Sequence, residues 1–332
     1  MPPLVSVVID NYNYGRFLAA CLDSVLAQDY PADRLEVIVV DDGSTDDSRA
    51  VLARYAPRVK AVHQANGGQA AAFNRGIRES RGELVCLLDS DDAWAPSKVS
   101  KVAAAFEAHP EAGAVQHYLQ ETDAALTSVA HDLPAWPPLL TLEQYLDGSA
   151  VLSAATGLAY RRRFLDLLLP IPAELLVYSD DFLTIGTLFY APVVNLSERL
   201  GFHRVHGGNQ YAGNYADPRK LAKDARTRIV FRQRVDGWLA QHGKALSPRF
   251  ARLEGLELAR REILFHMHEG RRREAASAWW RGFRRHGRDG FGLFRMLTCG
   301  LALLSPALYL KAYAGYSNAR GLKALRRSVL PE

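Results

Sequence analysis

Three carboxylates, Asp89, Asp91 and Asp92, crowd the segment "CLLDSDDAW" (residues 86–94) directly after an apolar run. Like charges this close raise one another's pKa unless a cation or several donors neutralise them, so a positive partner is expected there. Two acids one residue apart on a tight turn point to the same side, and oxygen ligands of that kind suit Mg2+ or Mn2+. Aspartate is also common in turns, so the pattern gains weight from its place at the end of a continuous strand. A second acidic pair, Asp41 and Asp42, opens "DDGSTDD" (41–47). A turn and a helix cap account for the glycine, serine and threonine, but not for two adjacent acids; a carboxylate at a strand's end can accept hydrogen bonds from a nucleoside. In "FHRVHGG" (202–208), His206 can reach a metal or a diphosphate from a glycine-flanked loop, and Arg204 can balance phosphate charge. Trp94 either stacks on a sugar or acceptor or packs in the core. "YSDDFL" (178–183) sets Asp180 and Asp181 ahead of a helical pattern, where helix capping is one use for them.

These residues need elements to hold them. "LVSVVI" (4–9), "LEVIVV" (35–40) and "ELVCLL" (83–88) are short β-branched, nearly continuous apolar runs, as parallel strands covered on both faces require. Between the first two lies a helical stripe of Phe17, Leu18, Cys21, Leu22, Val25 and Leu26, closed off by Pro31. Ser44 or Thr45 caps a second helix expected to begin near Asp46. Alternating strands and helices with short connections predict an α/β fold with a doubly wound, mainly parallel sheet. Ligands of such sheets bind outside the carboxyl ends of the strands, where "DNYNYG" (10–15), "DDGSTDD" and "DSDDAW" all fall. From about Asp217 onward, Arg-rich helical patterns alternate with Leu, Phe and Trp, which predicts a mainly helical C-terminal region.

The 332 residues, 48% hydrophobic and 23% charged, describe a globular chain, and the net charge of +5 is uneven. Basic runs such as "RRRE" (271–274), "RRHGR" (284–288) and "KALRR" (323–327) gather late in the chain. They suit an anionic membrane surface better than nucleic acid, because no aromatic-interleaved basic motif accompanies them. The most apolar stretch, "MLTCGLALLSPALYL" (296–310), is shorter than the roughly 20 residues of a spanning helix and contains Pro306. Residues 291–316 therefore form either a buried helix or one lying in the bilayer interface. Cys21, Cys86 and Cys299 lie far apart and read as thiols of a reduced compartment. With no charged segment and long apolar run at the N-terminus, the expected location is cytoplasmic, or at the cytoplasmic face of the membrane.

The ordered segments "LVSVVIDNYNYGRFLAACLDSVLAQDY", "EVIVVDDGSTDDS", "NGGQAAAFNRGI" and "GELVCLLDSDDAW" resemble the family-2 inverting glycosyltransferases of the GT-A fold, strongly over residues 3–120 and more loosely over 150–211. The resemblance implies a catalytic domain over 1–215, with a nucleotide-binding half (1–120) and an acceptor half (121–215), followed by the helical region 216–332. It implies transfer of a sugar, with inversion, from a nucleotide-diphosphate donor, UDP-sugar being favoured, to a glycan or lipid-linked acceptor in cell-surface polysaccharide or glycolipid synthesis. Asp10, Asn11 and Tyr12 would cradle the base, and Asp42 with Asp41 would bind the nucleoside. Gln69 and Asn74 would meet the diphosphate; the family motif carries Arg where this chain has Phe73, and Pro or Thr where it has Asp10. Asp89, Ser90 and Asp91 form the DxD turn, with Asp91 the direct ligand of Mn2+ or Mg2+ and Asp89 nearer the ribose or metal. His206 would meet the metal or diphosphate. Inversion needs a base opposite the leaving group, a role that falls to Asp181 beside Asp180.

Two rival readings are weaker. A nucleotidyltransferase needs a Gly-rich basic loop after the first strand, where this chain is acidic and aromatic; a non-catalytic nucleotide-sugar or glycan binding protein would bind donor without turnover. The Q-x-x-R-W string of processive relatives is absent, which favours single addition.

Overall fold

The computed structural model describes residues 1–306 and 309, apart from 131, 132, 134, 208, 210–217 and 289. The boundary expected at 215/216, Gly208, residues 310–316 of the apolar stretch and "KALRR" lie outside the described residues. The chain divides into two compact units, Met1–Gln210 with Trp238–Lys244, and Tyr211–Gly237 with Ala245–Glu332.

In the first unit, β1 (Val5–Asn11), α1 (Gly15–Leu26), β2 (Leu35–Asp41), α2 (Ser48–Ala53), β3 (Lys60–His63), α3 (Gln69–Glu79) and β4 (Leu84–Asp89) follow in βαβ order. Then come β5 (Ala93–Trp94), α4 (Lys98–Ala108), β6 (Ala114–Thr122), β7 (Leu139–Leu140), α5 (Leu142–Asp147), β8 (Leu158–Arg161), α6 (Arg162–Leu168), α7 (Ser179–Leu188) and β9 (Val193–Arg204). All nine strands join one sheet in the order β3-β2-β1-β4-β8-β6-β9-β5, with β7 also on β9. The β1–β2, β1–β4, β2–β3 and β6–β9 pairs are parallel, whereas β8 runs antiparallel between β4 and β6. The sheet is thus mainly parallel and doubly wound in its first half, with a mixed second half.

Burial follows from the sequence pattern. Val7 and Ile9 of β1, Val37 and Val39 of β2, and Cys86 and Leu88 of β4 pack with Leu18, Cys21, Leu22 and Val25 of α1 in one core. The opposite face is covered by α3, and there Gly76 is required: a Cβ on it would come within 2.3 Å of Val8 Cγ1. Helix α2 begins at Ser48, later than expected, because Asp46 Oδ1 accepts from the Ser48 backbone N–H and hydroxyl while Ser44 is engaged elsewhere. Strand β3 has no sequence signature because it is an edge strand; Lys60, Ala61 and His63 are exposed and only Val62 is buried.

The second unit contains most of α8 (Pro218–Gln241) and all of α9 (Pro248–His268), α10 (Arg272–His286) and α11 (Gly290–Leu304). Its core joins Leu256, Ala259 and Ile263 of α9, Ala278 of α10, and Met296 and Cys299 of α11. All three cysteines are buried. Among the described residues, no helix is long and apolar enough to cross a membrane.

Candidate active site

Parallel pairing sets Asp10 of β1 directly opposite Asp89 of β4, so both side chains leave the same face of the sheet at its carboxyl edge. Gln69, the first residue of α3, donates its amide to Asp89 Oδ1 (3.0 Å) and to Asp10 Oδ2 (3.4 Å). Asp10 Oδ1 is buried without a partner in the structure. Burial raises the Asp10 carboxyl to about 7, against the lowering effect of its hydrogen bond with Asp89, and nearby Asp91 adds to the rise. Asp89 is pushed well above the carboxylate range by burial first, then by Asp10, Asp92, Asp91 and Asp180. The edge is a cluster of crowded, desolvated acids, and a cation would relieve it.

Asp91 Oδ2 lies 3.1 Å from His206 Nε2, and Asn209 Nδ2 reaches the same oxygen at 3.4 Å. The His206 ring is held by Phe17 (centroids 4.6 Å apart), by Tyr14 edge-on (5.5 Å), and by Arg16 Nη2, 3.5 Å from Nδ1. His206 and Asp91 come from segments 115 residues apart, so their meeting is a product of the fold.

Asp92 explains how that meeting is arranged. It is fully buried; its Oδ1 accepts from the Arg204 backbone N–H (2.8 Å) and its Oδ2 from Thr156 Oγ1 (2.5 Å). The carboxylate therefore pins the end of β9, two residues before His206, to the DxD turn. Burial, then repulsion from Asp91, raises it to about 8. Sequence reasoning assigned Asp92 no role and missed Thr156 and Asn209. Thr156 carries no local signal, whereas Asn209 follows the glycines that mark the His206 loop.

The acids after β2 have protein partners. Asp41 Oδ1 accepts from Asn11 Nδ2 and the Ser44 N–H, both at 3.3 Å, and Oδ2 meets His63 Nδ1 (3.0 Å) and Arg49 Nε (3.3 Å). Burial pushes Asp41 up, but these donors outweigh it and leave the pKa lowered. Asp41 thus braces the β1 and β2 turns. Asp42 accepts at Oδ1 from Gln64 Nε2 (2.8 Å) and Gly67 N (2.9 Å), and at Oδ2 from Gly68 N (2.7 Å), folding the 64–68 segment over the strand ends. Gly68 has φ +82°, a conformation costly for other residues. Of the base-cradling residues, Tyr12 is exposed and Asn11 is buried against Asp41 and Ser44.

Four of the residues expected at the donor make contacts within the protein. Asn74 exchanges two 2.8 Å hydrogen bonds with the Ile171 backbone, which ties α3 to the segment before α7 and occupies the amide. Trp94 is buried: Nε1 donates to Thr156 O (2.8 Å) and Lys98 Nζ sits 3.6 Å over its ring, so the packing option holds and no face is left for a sugar. The Arg204 guanidinium donates to Ala124 O and lies 4.5 Å over Phe17, supporting the His206 cradle. Ser90 is buried, with its N–H on Asp10 O and no partner for Oγ. Phe73 is wholly buried in the face of α3.

Asp180 and Asp181 open α7. Asp180 Oδ2 accepts from Ala155 N (3.1 Å) and Oδ1 from the Asp181 N–H (2.9 Å), which fixes Asp180 in the first turn of the helix. Tyr178, just before the helix, is left-handed at φ 64°. Strain of this kind in a non-glycine residue persists where the surroundings impose it, often at functional sites.

No group of three or more His, Cys, Asp or Glu among the described residues is arranged to hold a metal ion by itself. Asp91 offers a hard carboxylate of the type that suits Mn2+ or Mg2+, and His206 an imidazole, a ligand suited to Mn2+ more than to Mg2+, near the unpartnered Asp10 oxygen. These residues fit a cation whose coordination a bound diphosphate and water complete.

Residues 6–168 match the model of the family described as Glycosyl transferase family 2. An uncharacterized glycosyltransferase of Nostoc sp. is 35% identical over 215 residues, which cover 62% of this chain and 66% of that protein. The glycosyltransferase GlyG of Streptococcus pneumoniae is 43% identical over 96 residues, 28% of this chain and 31% of its own. Among solved structures, S. aureus TarS 1–349 in complex with UDP-GlcNAc superposes with a TM-score of 0.55 at 18% identity, over 85% of this chain and 92% of that one. The Pyrobaculum calidifontis mannosyltransferase PcManGT, in complex with GDP-Man and Mn2+, gives 0.54 at 20%, over 95% and 86%. These likenesses establish the GT-A fold. With its doubly wound sheet and acidic carboxyl edge, the segment 6–168 of this chain belongs to glycosyl transferase family 2.

Proposed function

We propose that the chain transfers a sugar, with inversion, from a nucleotide-diphosphate donor, UDP-sugar first among the candidates, to the hydroxyl of a glycan or lipid-linked acceptor. The observation that carries this reading is the meeting of Asp91 with His206 at 3.1 Å beside the buried Asp10 and Asp89 pair, at the edge where a doubly wound sheet binds its ligands. The two complexes above, one with UDP-GlcNAc and one with GDP-Man and Mn2+, support a donor and a divalent cation of this class.

In this reading Asp91 and His206 would hold Mn2+ or Mg2+, with Asp89 serving the ribose or the metal. When bound, the cation stabilises the negative charge that develops on the diphosphate leaving group. Asp42 Oδ2 receives one protein donor and retains acceptor capacity for the nucleoside, while Tyr12 offers its exposed ring to the base. Gln69 fixes the orientation of Asp10 and Asp89. Asp180, locked by Ala155 and its own helix, holds the start of α7 so that Asp181 can take the acceptor's proton. Synthesis of cell-surface polysaccharide or glycolipid fits such a transfer.

A panel of UDP-, GDP- and dTDP-sugars, each assayed for turnover with and without Mn2+, tests the reading. Metal-dependent release of one nucleoside diphosphate supports it. Binding of UDP without turnover of any donor would replace it by a nucleotide-sugar binding function.

A further inference from the structure

Helices α10 and α11 lie antiparallel. A Cβ on Gly282 would meet Met296, Trp279 Nε1 donates to Met296 O, and Gly300 approaches Trp279. Trp280 and Leu297 each follow an inward-facing residue by one position. In an antiparallel pair, a step of about 100° on each helix turns both toward the same side. That side therefore carries Trp280 (53% exposed), Leu293 (38%), Leu297 (55%) and Leu304 (75%), while Ala278, Met296, Cys299 and Ala302 point the other way into the core with α9. A helix of a soluble bundle usually hides such a stripe; α11 shows one on both sides.

Charge says what the stripe faces. Arg273, Arg284, Arg285 and Arg288 are exposed along α10 and its end, and none has an ion pair among the described residues. Arg281 alone of this group is paired, with Glu262 at 3.1 Å. An isologous contact with a second copy would bring the same arginines from both copies into one interface. A nucleic acid would satisfy the arginines but leave the leucines and Trp280 in water. An anionic bilayer satisfies both, with Leu and Trp at the acyl boundary and Arg among the headgroups.

We propose that the outward face of the α10–α11 hairpin is a docking surface for an anionic lipid bilayer, lying in its interface and not crossing it. The surface is a property of the helical unit and stands whether or not residues 6–168 transfer sugar.

The test is sedimentation of the full chain with vesicles of phosphatidylcholine alone or mixed with phosphatidylglycerol, at low and high salt. The expected result is pelleting with the anionic vesicles only, weakened by salt. Leu293→Glu with Leu297→Glu should lower the partition coefficient about tenfold or more. Arg284→Glu with Arg285→Glu should lower it and flatten the salt dependence. Circular dichroism checks that each variant is folded, and Trp280→Ser provides an independent variant if the leucine pair does not fold. Failure of the folded wild type to pellet, or equal pelleting of the variants, overturns the proposal. So does a dimer in analytical ultracentrifugation that the leucine pair dissociates while no vesicle binds, or tight RNA binding in a gel shift without vesicle binding.

Discussion

Replacing Asp92 by alanine removes the acceptors of two buried donors, the Arg204 N–H and the Thr156 hydroxyl. Leaving a buried donor unsatisfied costs about 1–3 kcal/mol. Against this, the substitution relieves the burial and the repulsion by Asp91 that raise Asp92 to about 8, so the net loss should be about 2 kcal/mol. For a unit of this size that corresponds to a fall of roughly 4–8 °C in Tm. The functional loss should be larger than the stability loss, because the bond to Arg204 N fixes the end of β9 and with it His206 against Asp91. Asp92→Asn keeps an oxygen for Arg204 N and should preserve Tm within about 2 °C. The assay pairs thermal unfolding with calorimetric titration of UDP in Mn2+. The account expects Asp92→Ala to weaken metal-dependent UDP binding at temperatures where it remains folded, with Asp92→Asn near wild type. An alanine variant with wild-type Tm and UDP affinity would refute the clamp.

Three further outcomes follow from the geometry. Gly76→Ala should destabilise the fold by about 1–3 kcal/mol, read from urea unfolding, because its Cβ would press on Val8 between α3 and β1. Asn74→Ala should lower Tm by breaking the two bonds to Ile171 while leaving UDP affinity within about twofold; a large loss of affinity at unchanged Tm would place the amide on the diphosphate instead. The third concerns pH. Asp10 at about 7 and Asp92 at about 8 are raised above the ordinary carboxylate range, so the folded chain holds protons that the unfolded chain loses near pH 4. Stability without a divalent cation should therefore fall as pH rises from about 4 to about 8, and Asp92→Asn should flatten the upper part of that fall. Unfolding temperatures that climb over this range would contradict the burial of these acids.

The parallel half of the sheet was legible because β1, β2 and β4 are buried on both faces and therefore read as unbroken apolar runs. Strand β3 was not legible, since an edge strand with only Val62 buried has no such run. The convergence of the three acidic turns also followed from the sheet rule alone. What the sequence could not separate was contact with a ligand from contact with the protein. Asp41, Asn74 and Trp94 are polar or aromatic residues in the expected places, yet each is taken up by a partner distant in sequence. Asp92 shows the same limit in reverse: its partners, Thr156 and Arg204, lie 64 and 112 residues away, so its clamp exists only in the fold. In the helical unit, periodicity marked α10 and α11, but only packing shows which stripe stays exposed.

The most direct measurement of the central claim is turnover of a UDP-sugar in Mn2+ by the wild type, Asp91→Ala and Asp181→Asn, with UDP affinity measured alongside. The account predicts that both variants lose turnover, that Asp91→Ala also loses metal-dependent UDP binding, and that Asp181→Asn still binds UDP. Turnover at the wild-type rate by either variant would contradict it.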